Sequence, residues 1–323
     1  MVQAVLLFVV GLILLIKGGD WFVDGATGIA RRFHIPEIIV GATVVSIGTT
    51  LPEVMVSASS ALTGHGEIAY GNAIGSIICN TALIAAITVA VRPGSVDTKS
   101  LKMPVLFFFG SAAVYCVAAY LIGAFDRWMG LLMLVIFAVY MVVTVRQGLR
   151  APAEPAQDSP EAGEKASALW KELLLLVIGA ALIAVGADLL VDNGTIIAQQ
   201  LGVPESVIAL TFVALGTSLP ELVTAISSLA KGHGALSLGN VIGANLFNLV
   251  LVSGVSVTLA PFEVPCSSTI LGQNASLVME IPVMLCVMLL LTVPALLRGK
   301  LSRWQGVTLL CIYAAFCIVQ FAM

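Results

Sequence analysis

The sequence predicts an all-α polytopic membrane protein, with ten transmembrane helices arranged as two five-helix repeats of inverted topology. Three observations carry that prediction. Of 323 residues, 59% are apolar and only 10% charged. Runs of about 20 apolar residues recur along the chain, more than a soluble domain can enclose. The second observation is an internal duplication. The stretch PEIIVGATVVSIGTTLPEVMVSASSALTGHGEIAYGNAIGSIICN, Pro36 to Asn80, aligns without a gap on PESVIALTFVALGTSLPELVTAISSLAKGHGALSLGNVIGANLFN, Pro204 to Asn248. The offset is 204 − 36 = 168, and 19 of the 45 paired positions are identical. The same offset pairs Gly18, Asp20, Val23, Asp24 and Thr27 with Gly186, Asp188, Val191, Asp192 and Thr195. Thirdly, the apolar segments fall into five plus five, so the second copy enters the membrane from the opposite face. That is a recurring plan for secondary transporters.

In order, the apolar segments lie at about 4–30, 36–63, 69–91, 103–123 and 128–146, then at about 170–198, 204–230, 236–260, 277–297 and 304–322. The first has no basic residues before it and matches a segment deep in the chain, so it is expected to be a retained helix, not a cleaved leader. The first segment of each copy is long enough to be tilted. Between the copies, Pro152, Pro155 and Pro160 stand among scattered Asp, Glu and Ala, as in a disordered linker. The expected organisation is a first repeat over 1–146, a linker over 147–168 and a second repeat over 169–323.

Orientation follows from the basic residues. Arg31, Arg32, Arg92, Lys99, Lys102, Arg146, Arg150, Lys165, Lys171, Lys231, Arg298, Lys300 and Arg303 all fall in loops on one side. Arg127 falls on the other, and Lys17 lies within or near the first helix. By the positive-inside rule both termini are outside and the linker is cytoplasmic, in a plasma (inner) membrane protein. A net charge of −3 gives no reason to expect a nucleic-acid partner, and no obligatory protein partner is evident. The six cysteines, mostly in apolar runs and without CxxC spacing, are expected to be small buried thiols.

The chemistry centres on two acids. Glu53 and Glu221 each sit near the middle of an apolar span, at matched places in the two copies. A carboxylate at the bilayer centre costs about 2.5–3.5 kcal/mol on insertion scales, so such residues face the protein interior and mark ion pathways. Pro52 has no N–H for the carbonyl of Gly48, and Pro220 none for that of Gly216. GTTLPE (48–53) and GTSLPE (216–221) are therefore expected to break or distort their helices at mid-membrane. Freed carbonyls persist there only when buried or lining a wet cavity, and a hard cation such as Ca2+, which takes about six to eight oxygens, can use them. Thr49, Thr50, Thr217 and Ser218 add hydroxyls. Asn80 and Asn248 bring amides from the third span of each copy, with Ser76 one turn before Asn80 on the same face. Gly71 and Gly75, like Gly239 and Gly243, form small-xxx-small steps for close helix approach.

Other repeated polar residues point to structure. His65 and His233 both stand in Gly-His-Gly, but the topology puts them on opposite faces, so they are turn residues. Asp20, Asp24, Asp188 and Asp192 approach the interfaces and are expected to be structural or vestibule residues.

At GTTLPE and GTSLPE, each followed by a Gly-rich helix ending in GSIICN or GANLFN, the chain resembles the cation/calcium exchanger superfamily, most closely its prokaryotic sodium/calcium exchanger branch. The resemblance covers essentially the whole chain. It implies a secondary active antiporter, not an enzyme, that exchanges Ca2+ for Na+ by alternating access at one central cluster. By matching motif position it implies as ligands Glu53, Glu221, Asn80, Asn248, Thr49, Thr50, Thr217, Ser218 and Ser76, with backbone oxygens at Ser46 and Ala214. No cofactor is expected beyond the transported ions. Four departures stand out: Ala244 replaces the equivalent of Ser76, Asn248 stands where some relatives have Asp, Ile77 matches Asn245, and Thr50 stands where Ser is commoner. A calcium/proton antiporter is the alternative, because buried glutamates can carry protons. An intramembrane enzyme built on a carboxylate dyad lacks an evident nucleophile or substrate motif, and a non-transporting scaffold would not need the paired acids.

Overall fold

A computed structural model describes residues 2–150, 169–200, 216–266 and 269–322. The expected linker, apart from its first residues, and positions 201–215, including Ala214, lie outside the described residues. Among the described residues the structure is helical apart from connecting loops and three pairs of two-residue strands. Its helices are α1 (Val2–Phe33), α2 (Glu37–Leu62), α3 (Gly66–Val91), α4 (Thr98–Ile122), α5 (Arg127–Arg150), α6 (Leu169–Gln200), α7 (Leu219–Ala230), α8 (Gly234–Leu259), α9 (Ser276–Arg298) and α10 (Arg303–Ala322). Among the described residues, nine helices are long and apolar enough to cross a membrane. The shorter α7 is the described part of the span expected over 204–230.

Two compact units can be distinguished, 1–49 with 144–240 and 50–143 with 241–323, and each draws on both sequence repeats. In the first unit α1 packs antiparallel on α6 through glycine. A Cβ at Gly11 would stand 2.9 Å from the Gly186 carbonyl oxygen, and one at Gly18 would stand 2.9 Å from that of Gly179. At that range no side chain fits, so the two backbones touch directly. Around this contact Leu15, Phe22, Val23, Ala26, Ile183 and Ala187 form an apolar core with Val40, Val45 and Leu236. The outer face of α1 stays apolar, with Leu6, Ile13 and Ile16 exposed, as a lipid-facing helix requires.

At the end of α7 the chain turns through Gly232, whose φ of 87° only glycine adopts without strain. Lys231 there extends its Nζ to Asp24 Oδ1 at 2.6 Å and to the backbone oxygen of Asp20 at 2.7 Å. Its neighbour His233 meets Glu37 Oε1 through Nδ1 at 2.7 Å. Asp20 and Asp24 are thus structural, as expected, and His233 is a turn residue tied to the start of α2. Its repeat counterpart His65 follows the matched positive-φ Gly64 and lies 3.1 Å from the Thr63 hydroxyl.

The second unit is built around α3, which packs on α8 and α9 and buries Ala69, Tyr70, Ala73, Ile74 and Ile77. One end is closed by Tyr70, Tyr115, Phe125 and Phe262, whose rings follow one another at 4.6–6.4 Å. Two strand pairs tie loops together. Gly94–Ser95 pairs with Lys300–Leu301, joining the α3–α4 and α9–α10 loops, and Ala124–Phe125 pairs with Phe262–Glu263. The first gathers loops carrying Arg92, Lys99, Arg298 and Lys300, all assigned to one face by charge; the second gathers loops assigned to the other. Asp97 caps α4, accepting from the N–H groups of Lys99 and Ser100 at 3.0 and 3.2 Å.

The cysteines differ from expectation. All are free, but only Cys79 is buried. Cys116 and Cys317 are half-buried, and Cys266, Cys286 and Cys311 are exposed. Apolar runs in a membrane helix face lipid as readily as core, so an apolar neighbourhood in sequence does not fix burial for a small thiol.

Candidate functional site

The two glutamates are both fully buried, at 0% exposure, although burying an isolated carboxylate is among the most costly things a fold can do. In the first copy Glu53 lies inside one helical stretch, Ser46–Leu62, that runs on through Pro52. Of the expected break or distortion, the break is absent in this copy. The span is distorted further upstream instead, where Gly41–Val45 forms a π turn before Gly48. In the second copy the break is present. Thr217 and Ser218 form a turn, helix resumes at Leu219, and Pro220 takes one of the first helical positions, where its missing N–H costs nothing.

Both asparagines open π-helical turns at matched places, Asn80–Ala85 in α3 and Asn248–Val252 in α8. A π turn loosens the i→i+4 ladder and recurs at functional sites. The described residues carry three more, Gly41–Val45, Ala118–Ile122 and Ser276–Glu280, so it is the matched placement at two asparagines that singles these two out. At Asn248 the i+5 residue Ser253 supplies both its backbone N–H and its hydroxyl, at 3.0 Å, to the freed carbonyl. Asn80 and Asn248 are each 0% exposed. Neither amide atom of Asn80 has a hydrogen-bond partner among the described residues. Asn248 donates Nδ2 to the Ala244 carbonyl at 3.1 Å, and its Oδ1 has no partner among them. Leaving a buried amide oxygen without its hydrogen bond costs about 1–3 kcal/mol. A bound cation would offset that cost, so the donor set fits a hard cation.

The remaining expected ligands fall as follows. Thr49, Thr50, Ser76 and Ser218 are buried, Thr217 is half-buried, and the Ser218 hydroxyl has no partner among the described residues. Ser46 Oγ lies 2.8 Å from the Gly41 oxygen and 3.0 Å from the Asn240 oxygen, while Thr49 Oγ1 reaches Asn240 Oδ1 at 3.3 Å. Within the first unit Asn240 therefore gathers Ser46 and Thr49. Gly41 and Gly239 permit this contact, since a Cβ at Gly41 would stand 2.8 Å from the Asn240 nitrogen and one at Gly239 would strike Ile38. The close approach expected of the glycine steps holds at Gly239. At Gly71 and Gly75 no described residue lies within 4 Å of an added Cβ.

Within the second unit Asn72, the repeat counterpart of Asn240, donates to Ser57 Oγ at 2.8 Å and to the Glu53 backbone oxygen at 3.3 Å. Asn72 and Asn240 were missed as supports of the helix that carries Glu53. Their signal was present, for they are identical at the 168-residue offset and each follows the first glycine of its Gly-xxx-Gly step.

A family described as sodium/calcium exchanger protein matches residues 3–146 and 171–322. The sodium/calcium exchanger MaX1 of Methanosarcina acetivorans is 30% identical over 98% of both chains. The inner membrane protein YrbG of Escherichia coli is 34% identical over 82% of both. Among solved structures, the sodium-calcium exchanger NCX_Mj soaked with 2.5 mM Na+ and 10 mM Sr2+ superposes with a TM-score of 0.81, at 33% identity and 97% coverage of each chain. The fold class is the one the sequence predicts, an all-helical polytopic membrane protein built as a ten-helix inverted repeat.

Proposed function

The chain belongs to the sodium/calcium exchanger protein family, and from that premise we propose that it exchanges Ca2+ for Na+ across the plasma (inner) membrane, both termini outside and the linker cytoplasmic. Family and fold are those of membrane ion exchangers, not of enzymes. Glu53 and Glu221 supply the charge. Asn80, Asn248, Thr49, Thr50, Thr217, Ser218 and Ser76 supply neutral oxygens, and Ser46 and Ala214 supply backbone oxygens.

The observation that carries this reading is the matched, complete burial of Glu53 and Glu221, together with π turns opening at Asn80 and Asn248. Two ionised carboxylates give a site of charge about −2, which one Ca2+ or two or more Na+ neutralise. An empty, doubly charged site pays several kcal/mol per ion to be sealed from water. Loaded forms therefore cross and the empty form does not, which couples the export of one ion to the import of the other. A second reading, calcium/proton antiport, rests on the same two carboxylates, since each can carry a proton in place of Na+. Ca2+ uptake into proteoliposomes under imposed Na+ and pH gradients decides between them. Uptake driven by the Na+ gradient at constant pH supports the first, uptake driven only by the pH gradient supports the second, and uptake driven by neither sinks both.

A further inference from the structure

Thr81 and Asn245 lie outside the proposed ligand set but adjoin it. Thr81 follows Asn80 at the start of the α3 π turn, and Asn245 stands one turn before Asn248 on α8. Both are fully buried, as is Met288 of α9. Asn245 Nδ2 donates to Thr81 Oγ1 at 2.7 Å and to Met288 Sδ at 3.2 Å, and the Thr81 hydroxyl donates to the same sulfur at 3.3 Å. One short, directional bond thus fastens α8 to the residue beside Asn80, and a soft sulfur acceptor closes the triangle. The duplication supplies no second such bond. The counterpart of Asn245 is Ile77 (245 − 168 = 77) and that of Thr81 is Leu249 (81 + 168 = 249). Both are apolar, and both are fully buried.

Apolar contacts are non-directional and tolerate small slips, whereas a hydrogen bond holds its donor and acceptor within a range of about 2.7–3.2 Å and prefers a near-linear angle. A polar link placed once, against an apolar pair at the equivalent place, fixes a distance on that side. We infer that the Asn245–Thr81 hydrogen bond is the spacer that sets how far apart the Asn80 and Asn248 turns stand, and so selects the transported cation by size. The inference rests on the proposed ion site. Oxygen–Ca2+ distances of about 2.3–2.6 Å leave little room for error, and Ba2+ needs a wider cage. Asn245 and Thr81 act here through Asn248 and Asn80, as positioning residues, although the Asn245 Oδ1 also has no hydrogen-bond partner among the described residues.

The test measures half-saturating Ca2+ and Ba2+ concentrations, with Tm, on the purified full chain and on T81V, N245L, the double variant and T81S. Thr81→Val leaves the Asn245 amide with only the Met288 sulfur as acceptor and should give the lowest Tm, and the double variant should recover part of it. In every folded variant lacking the bond, the Ba2+-to-Ca2+ ratio of half-saturating concentrations should fall at least about threefold, the effect of losing one hydrogen bond. Thr81→Ser keeps the hydroxyl and should keep the wild-type ratio. A purely structural role would lower Tm without moving the ratio. Folded T81V or N245L with the wild-type ratio overturns the spacer, as does T81S behaving like T81V. Wild-type protein that binds neither ion removes the ion site itself and the spacer with it, an outcome distinct from binding with an unchanged ratio.

Discussion

The two copies of the motif carry nearly the same residues but do not fold alike. GTTLPE runs through Pro52 as continuous helix, whereas GTSLPE turns at Thr217 and Ser218 and restarts at Leu219. Asn72 donates its amide to Ser57 and the Glu53 carbonyl; its counterpart Asn240 accepts from Thr49 and Ser46. Ser76 becomes Ala244, whose carbonyl is then used by Asn248. Duplication has preserved the acids, amides and π turns while leaving the second layer of hydrogen bonds free to diverge. At the proposed site, then, charge is specified twice and geometry once per copy. Exchange of ion for ion needs the first to be common and allows the second to differ.

The largest expected effect tests whether the two copies are equivalent where they look equivalent. Glu53→Gln and Glu221→Gln should each reduce Ca2+ exchange in proteoliposomes to below about one hundredth, because a bound Ca2+ would then leave a buried positive charge unpaired, a cost of several kcal/mol. Near-normal exchange by either folded variant would remove that residue from the site and break the symmetry argument.

The inverted relation of the copies gives an all-or-none labelling result. In a background without native cysteines, Glu263→Cys should react with an impermeant reagent in intact cells and Lys300→Cys only after permeabilisation. Both positions are exposed, in separate strand pairs. Reaction of both from the same side would refute the assigned orientation.

Asn248→Asp sharpens the comparison by making the two copies differ where both now carry an amide. It brings the site toward −3, and the added charge is too costly to remain buried beside Ca2+ without a companion ion. Exchange by the variant should acquire a dependence on pH or on K+ of about tenfold across the tested range. Wild-type exchange should proceed without K+. An Asp variant with unchanged ion dependence would count against Asn248 as a ligand.

The smallest effect lies at a helix end. Partial burial pushes the Asp97 carboxyl up, but the Ser100 hydroxyl and the N–H groups of Lys99 and Ser100 outweigh it and hold it below the usual carboxylate range. Its folded value is depressed, so its stabilisation is fully present above the unfolded carboxylate value, about 3.9, and is lost as pH falls through the folded one. Asp97→Ala should cost about 1 kcal/mol near neutral pH, a drop of a few degrees in Tm that disappears in strong acid. A drop of the same size at all pH values would show that the carboxylate's charge is not what caps α4.

Much of this was legible in the sequence, for reasons that differ by residue. The spans were readable because lipid demands long apolar runs. Glu53 and Glu221 were conspicuous because an acid in such a run has no cheap explanation. The π turns at Asn80 and Asn248 left no local mark, since they arise from how α3 and α8 meet their neighbours and not from propensity. The continuity of α2 through Pro52 was likewise hidden, for proline removes one hydrogen bond but packing decides whether the helix bends or carries on. Exposure of Cys286 and Cys311 was unreadable because lipid and protein core look alike to an apolar run.

The glycine contact between α1 and α6 has a consequence for ancestry. Gly11 meets Gly186 and Gly18 meets Gly179, yet Gly11 and Gly179 are the same position of the ancestral unit, as are Gly18 and Gly186. Each glycine therefore faces the sibling of its neighbour seven residues away, which is the pattern of a self-complementary, two-fold interface. A single unduplicated gene could have formed this seam between two identical chains inserted in opposite directions. Joining two such units in one chain would make permanent a pairing that separate half-length chains must find by collision.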